Sequence, residues 1–228
     1  MTIPELHKLF LDYPRACTDT RKIEKNAIFF ALKGPKFNGN KFAAEAIEKG
    51  AAFAVVDEPP YSDHDQIILV KNVLSTLQKL GTEHRKHCSA RIIALTGSNG
   101  KTTTKELIRS VLAKKYETVA TKGNLNNHIG VPLTLLSIKE STEFAIVEMG
   151  ANHQGEIAFL ANLAKPDYGY ITNFGKAHLE GFGGVVGVIK GKSELYEYLM
   201  AHDKHVFLNA DDPVQKEKLS KYIKKIGF

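Results

Sequence analysis

The segment that most limits what this chain can become runs from Ile92 to Leu112. Ile92-Ile93-Ala94-Leu95-Thr96 is an apolar, partly β-branched run. It enters Gly97-Ser98-Asn99-Gly100-Lys101-Thr102-Thr103-Thr104, and a helical pattern follows from Lys105 to Leu112. Strand, glycine turn and helix in that order frame a phosphate-binding loop. Glycine lets backbone N–H groups close on phosphate oxygens, and the helix N-terminus adds partial positive charge. Gly97, Ser98, Asn99, Gly100, Lys101, Thr102 and Thr103 are therefore candidate nucleotide-binding residues. In such a loop the lysine, Lys101, reaches the outer phosphates and the hydroxyl of Thr102 ligates magnesium. The usual pattern has a further glycine where Leu95 stands, so this is the shorter form T-G-S-N-G-K-T-T.

With 228 residues, the chain has room for one large or two small domains. Alternating strand and helix patterns imply an α/β fold with mostly parallel sheets. The organisation divides near residue 88. Residues 1–88 read as a small α/β domain, with helices near Pro4–Leu11 and Val73–His87 and strands near Ala27–Leu32, Ala52–Val56 and Gln66–Val70. Residues 89–228 read as a second α/β domain with strands near Glu117–Ala120, Phe144–Val147, Tyr168–Thr172 and His205–Leu208. Its helices are expected near Thr102–Lys114, Pro132–Ser137, Gly155–Leu163, Val185–Met200 and Asp212–Lys225. Ile226-Gly227-Phe228 resembles the start of another strand, and the second domain is expected to be incomplete.

Composition narrows the classes. No apolar run is long enough to cross a membrane, no signal peptide is evident, and two distant cysteines fit a reducing cytoplasm. The net charge of +6 owes much to the lysine-rich run 216–225, which reads as a solvated helix face. No nucleic-acid-binding motif accompanies it, so neither nucleic acid nor membrane is an expected partner.

Other candidates lie where strands end, which is where ligands bind on parallel sheets. Glu148 closes the apolar run from Ala145 and is placed to hold a nucleotide's magnesium. Asn124, Asn126 and Asn127 fall in a polar loop that can bind substrate or simply satisfy its own backbone. His178 sits in a glycine-rich loop with Asn173 and Glu180; its residue type alone does not nominate it as a magnesium ligand. Asn209 and Asp211 can meet a nucleotide's base or ribose, or belong to a turn before Asp212-Pro213. Thr18-Asp19-Thr20-Arg21 is either a turn with an internal ion pair or a diphosphate site. Lys190 and Lys192 are helical lysines, a residue class usually solvated.

Taken together and in this order, these motifs resemble the Mur ligases, the ATP-dependent amide-forming enzymes of peptidoglycan synthesis. T-G-S-N-G-K-T-T matches that family's own ATP loop. Thr18-Asp19-Thr20-Arg21 and Phe29-Phe30-Ala31-Leu32-Lys33-Gly34 resemble its UDP-binding domain, which adds Lys33 and Gly34 to the substrate-binding candidates. Gly123-Asn124-Leu125-Asn126-Asn127, Glu148-Met149-Gly150-Ala151-Asn152 and His178-Leu179-Glu180-Gly181-Phe182-Gly183 resemble the branch that joins D-alanyl-D-alanine to UDP-N-acetylmuramoyl-tripeptide through an acyl phosphate. The resemblance implies ATP and two magnesium ions, held by Thr102, Glu148, His178 and Lys192, with Lys192 as a carbamate and Lys190 as its alternative. It implies Lys101, His178 and Lys192 as the catalytic set. It also implies a third domain that delivers the dipeptide, without which this chain is expected to lack turnover. A different Mur-type ligase, a small-molecule phosphate-loop kinase and a non-catalytic nucleotide-sugar-binding module are the rival readings.

Overall fold

The computed structural model describes residues 1–228 except Ala177. The chain packs as two units, Met1–His87 with Leu135–Ser137, and Cys88–Thr134 with Ile138–Phe228.

In the first unit, Thr2 caps helix α1 (Ile3–Asp12) through a reciprocal box with Glu5 and with proline in the first turn. Strands β1 (Ala16–Cys17) and β2 (Ile28–Phe30) follow, then a small antiparallel hairpin of β3 (Lys33–Gly34) and β4 (Phe37–Asn38). Helix α2 (Ala43–Glu48) ends before Gly50, whose φ of +99° suits a residue without Cβ. Strands β5 (Phe53–Val56) and β6 (Ile67–Leu69) and helix α3 (Val73–His87) complete the unit. Its sheet is fully parallel in the order β1-β2-β5-β6. The core gathers Phe29, Ala31, Ala43, Ala46, Ala54 and Val56, where small residues on α2 let the helix lie close to the sheet.

The second unit opens with β7 (Arg91–Thr96), buried from Ile92 onward, as a central parallel strand covered on both faces must be. Helix α4 (Lys101–Leu112), β8 (Thr118–Ala120), α5 (Gly130–Leu136) and β9 (Phe144–Glu148) follow. Next come α6 (Glu156–Ala164), β10 (Tyr168–Ile171), the short α7 (Leu179–Phe182), α8 (Val185–Ala201) and β11 (His205–Leu208). The chain closes with α9 (Pro213–Lys218) and β12 (Lys225–Gly227). The six strands are all parallel, in the order β12-β11-β10-β7-β9-β8. The chain moves outward from β7 to β8, returns to β9, and then crosses to β10 on the other side. The carboxyl end of β7 is thus beside the topological switch point, where the backbone leaves a crevice for a ligand.

The α/β class and the parallel sheets are as expected. The helix expected over Asp212–Lys225 is not: α9 stops at Lys218. Leu219 turns into the core, and Lys225 Nζ donates back to the carbonyls of Leu219 and Ser220, so the chain reverses and pairs β12 with β11. The lysines of this run other than the half-buried Lys224 remain exposed, but on a turn and an edge strand as well as a helix. The strand expected around Ile226 is present as β12. Among the described residues no helix is long and apolar enough to cross a membrane.

Candidate nucleotide and substrate sites

Leaving β7, the backbone passes through Gly97 at φ +145° and Gly100 at φ +77°, and Gly100 caps α4. A Cβ at Gly97 would stand 1.9 Å from Thr172 Oγ1, so only glycine fits. The segment after β10 clamps this turn. Ser98 N donates to the Asn173 carbonyl at 3.1 Å, and Ser98 Oγ to the Gly175 carbonyl at 2.8 Å. Asn99 N donates to Asn173 Oδ1 at 3.1 Å, while the Asn99 carbonyl accepts from Thr172 Oγ1 and Asn173 Nδ2. Asn173 therefore braces the loop. Thr103 lies exposed in the first turn of α4.

Lys101 folds over the turn, and its Nζ donates to the carbonyls of Gly97 (2.8 Å) and Ser98 (3.2 Å). Partial burial lowers its pKa, opposed by the charge of Glu148. Glu148 is 1% exposed at the end of β9. Its Oε2 accepts from Thr102 Oγ1 at 3.1 Å and its Oε1 from Asn126 Nδ2 at 2.8 Å. Its backbone N–H donates to Thr121 Oγ1 at 2.9 Å. The glutamate is thus fixed from three sides, against the phosphate loop and the asparagine loop at once.

Beside this network lies a cavity of about 340 Å³, lined among others by Lys101, Asn126, Asn127, Asn152, Phe159 and His178. His178 reaches it from a left-handed backbone, φ +57°, an uncommon conformation for a residue with a Cβ. Asn127 lines the cavity while its Oδ1 accepts from the N–H groups of Ile129 and Gly130 and so starts α5. Asn124 is exposed, and its carbonyl accepts from Asn126 N.

On α8 the two lysines separate by burial. Lys190 is exposed, whereas Lys192 is 1% exposed with its Nζ 5.2 Å from the centre of the Phe182 ring. Burial, and then the nearby charge of Lys101, bring the Lys192 amine down to about 8. Asn209 Oδ1 accepts from Asp211 N at the end of β11, and neither residue is in the cavity lining. Asp212 caps α9.

The first unit holds its own cavity, about 560 Å³, lined by Thr18, Asp19, Thr20 and Arg21 together with Phe29, Phe37, Phe42 and Glu45. Arg21 donates to Asp19 through Nε (2.8 Å) and Nη2 (2.7 Å), which holds the Asp19 carboxyl well below the usual range. Phe37 and Phe42 stack with ring centres 5.4 Å apart and planes 11° apart, an aromatic platform at the rim. Lys33 and Gly34 sit in the β3–β4 hairpin outside this lining. Lys33 pairs with Asp57 (3.0 Å) and Glu58 (3.3 Å), and Asp57 first of all raises its pKa. The sequence reading missed Phe37, Phe42, Lys105 and Thr121. For Lys105 a signal existed: it repeats Lys101 at i+4 on the same helix.

Among the described residues no cluster of three or more His, Cys, Asp or Glu side chains is arranged to hold a metal. The donors at Thr102 and Glu148 are instead one hydroxyl and one carboxylate, hard oxygens of the type magnesium takes when phosphate and water complete its shell. Their 3.1 Å separation matches the edge of an octahedron, about 3 Å for metal–oxygen bonds of about 2.1 Å. The residues present fit the ion.

A phosphate loop at the switch point of a parallel sheet, with a buried glutamate at the adjoining strand end, defines a P-loop nucleotide-binding domain. Residues 95–228 match the Mur ligase middle domain, and residues 16–95 match the family model described as Mur ligase family, catalytic domain. The chain belongs to the Mur ligase family. It is 40% identical over 212 residues to UDP-N-acetylmuramoyl-tripeptide–D-alanyl-D-alanine ligase of Bacillus subtilis, covering 92% of this chain and 46% of that protein. For the Escherichia coli enzyme of the same name, identity is 42% over 195 residues, covering 86% and 43%. A crystal structure of MurF from Acinetobacter baumannii superposes with a TM-score of 0.83 at 36% identity, covering 94% of this chain and 48% of that one. MurF from Thermotoga maritima, solved in complex with ADP, gives 0.82 at 32% identity, covering 94% and 50%. The chain thus spans half or less of the length of these relatives.

Proposed function

We propose that this chain carries the nucleotide- and UDP-substrate-binding parts of an ATP-dependent ligase that joins D-alanyl-D-alanine to UDP-N-acetylmuramoyl-tripeptide in the cytoplasm. The observation that carries the reading is the cavity lined by Lys101, Asn126 and His178, with Asn126 also holding the Glu148 carboxylate that Thr102 Oγ1 contacts. A carboxylate does not acylate an amine unaided. Phosphorylation by ATP forms a bond from a carboxylate oxygen to the γ-phosphorus and breaks the bond to ADP. The amine then attacks the acyl carbon, inorganic phosphate leaves, and the amine's proton passes to a base.

The chain's part is to hold and neutralise. The backbone N–H groups of the Gly97–Gly100 turn and the N-terminus of α4 receive the phosphates, and Lys101 brings a cation to the oxygens that gain charge. Asn126, Asn127 and His178 face the same space from the substrate side. Thr102 and Glu148 would hold one magnesium ion, and His178 with carbamylated Lys192 a second; when bound, these ions supply charge neutralisation to the transferring phosphoryl group. Burial and the lowered pKa of Lys192 support its role, since carbamylation needs a neutral amine, and the exposure of Lys190 speaks against the alternative. In the first unit, Thr18–Arg21 and the Phe37–Phe42 stack suit a nucleoside diphosphate. No corresponding support gathers around Lys33, Gly34, Asn209 or Asp211.

Calorimetry on the 228-residue chain with ADP and Mg²⁺, and separately with the UDP-muramoyl tripeptide, tests the binding reading. Ligase turnover is tested on the full-length gene product by dipeptide-dependent phosphate release with the mass of the pentapeptide. Binding of ADP but not the UDP-linked peptide would favour a kinase instead.

A further inference from the structure

Lys105 has no solvent exposure and stands one turn beyond Lys101 on α4. A buried ammonium is costly unless its charge and its protons are met, and a methionine would fill much the same space at less cost. Its partners show what the charge is spent on. Nζ donates to the Thr121 carbonyl at 2.6 Å and reaches the Gly123 carbonyl at 3.4 Å. It lies 3.2 Å from Glu106 Oε1 and 3.9 Å from Glu148 Oε2. Thr121 in turn accepts the Glu148 backbone N–H on its hydroxyl, and Asn126, three residues beyond Gly123, holds the other Glu148 oxygen.

Every path from Lys105 except the one to Glu106 therefore ends at the Glu148 carboxylate or at the root of the loop that grips it. We infer that Lys105 is a positioning residue: it fixes the 121–127 loop and the Glu148 carboxylate in the arrangement that takes up the magnesium of a bound nucleotide. This inference rests on the nucleotide reading above. It concerns the metal-dependent part of binding, because the N–H groups of the phosphate loop make their contacts without Lys105.

The test compares ADP affinity in Mg²⁺ and in EDTA by calorimetry on this chain. Outer partners of metal ligands are worth about tenfold or more in metal affinity. K105M should therefore cut the gain in ADP affinity conferred by Mg²⁺ by about that factor, with affinity in EDTA unchanged. K105Q keeps a donor for the Thr121 carbonyl but no charge, and should behave likewise even if K105M folds poorly. E106Q removes the remaining ion-pair partner and should keep the full gain. An intact magnesium gain in both Lys105 variants overturns the inference, as does a parallel fall of affinity in EDTA or failure of both variants to fold, since these mark a structural role. A wild-type chain that binds ADP no better with Mg²⁺ overturns the nucleotide–metal reading itself, and the inference with it.

Discussion

Thr102 Oγ1 and Glu148 Oε2 stand 3.1 Å apart, joining the first turn of the phosphate-loop helix to the end of the neighbouring strand. The contact brings a hard hydroxyl and a hard carboxylate to one point and leaves Lys101 free to serve a different part of the ligand. If this pair takes the magnesium of a bound nucleotide and Lys101 its phosphates, metal and phosphate binding are separable. T102V and E148Q should each lower the Mg²⁺-dependent gain in ADP affinity by about tenfold or more. K101M should weaken ADP both with Mg²⁺ and in EDTA. Calorimetry under the two conditions reads this directly, and equal losses in all three variants would contradict the division of labour.

Lys192 is the amine we propose for carbamylation. It is buried, and burial together with the charge of Lys101 brings its pKa down to about 8. With ¹³C-bicarbonate, the wild-type chain should give a carbamate carbon signal that disappears in K192A and persists in K190A. At constant dissolved CO₂ the signal should grow as pH rises through about 8, because only the neutral amine adds CO₂. A signal that follows Lys190 would reverse the assignment.

Legibility in the sequence followed the range of the forces involved. The strand–glycine–helix corner at Ile92–Leu112 is local, and its backbone demands are written in its residue types, so β7, the turn and α4 emerge where expected. Glu148 was readable because a lone acid closing an apolar strand is conspicuous. Phe37 and Phe42 were not, because their stacking needs the β3–β4 hairpin to bring them together. Lys105 repeats Lys101 one turn further along α4, but only the return of the chain through Thr121 and Gly123 buries it. The tail misled for the opposite reason. Its lysine spacing suits a helix, but burial of Leu219 and pairing with β11 outweigh that weak local preference.

The stacked Phe37 and Phe42 rings line the first unit's cavity with Thr18–Arg21. If that cavity takes a nucleoside diphosphate, the base has an aromatic face to rest on and the phosphates have the hydroxyls and the Arg21 guanidinium. Stacking of a base on an aromatic side chain is worth about 1–3 kcal/mol. F37A should weaken UDP binding to the 228-residue chain by a corresponding five- to hundredfold, roughly. ADP binding should stay unchanged. Equal UDP affinity in wild type and F37A would remove the platform from the site.

A histidine pair links α1 to α3: His7 Nε2 lies 3.1 Å from His84 Nδ1, with the His87 ring 5.1 Å from that of His7. Burial first, and then the neighbouring imidazoles, lower the His7 pKa below its ordinary 6.5. Below 6.5 the unfolded chain takes up this proton more readily than the native one, so stability rises with pH across that window. The contribution is complete above about 6.5 and declines as pH falls through the lower native value. Imidazole NMR should place the His7 midpoint under 6.5, and the urea midpoint of the first unit should drop on acidification. H7L should flatten that pH dependence, and a slope unaffected by the substitution would assign it to other groups.

Gly97 carries the sharpest steric demand in the phosphate loop. At φ +145° an added Cβ meets Thr172 Oγ1 at 1.9 Å and Thr172 Cβ at 3.0 Å. That same hydroxyl donates to the Asn99 carbonyl, so it cannot swing away without releasing the loop. G97A must therefore either shift β10's exit or reshape the turn, at a cost of about 1–3 kcal/mol in backbone strain alone. We expect ADP affinity to fall by about tenfold or more and the thermal midpoint to drop. Removing the hydroxyl in the double variant G97A/T172A should recover only part of the loss, because Thr172 Cβ remains close and the positive φ is still unfavourable for alanine. Full recovery would mean that the clash alone, and not the backbone conformation, makes glycine necessary at the end of β7.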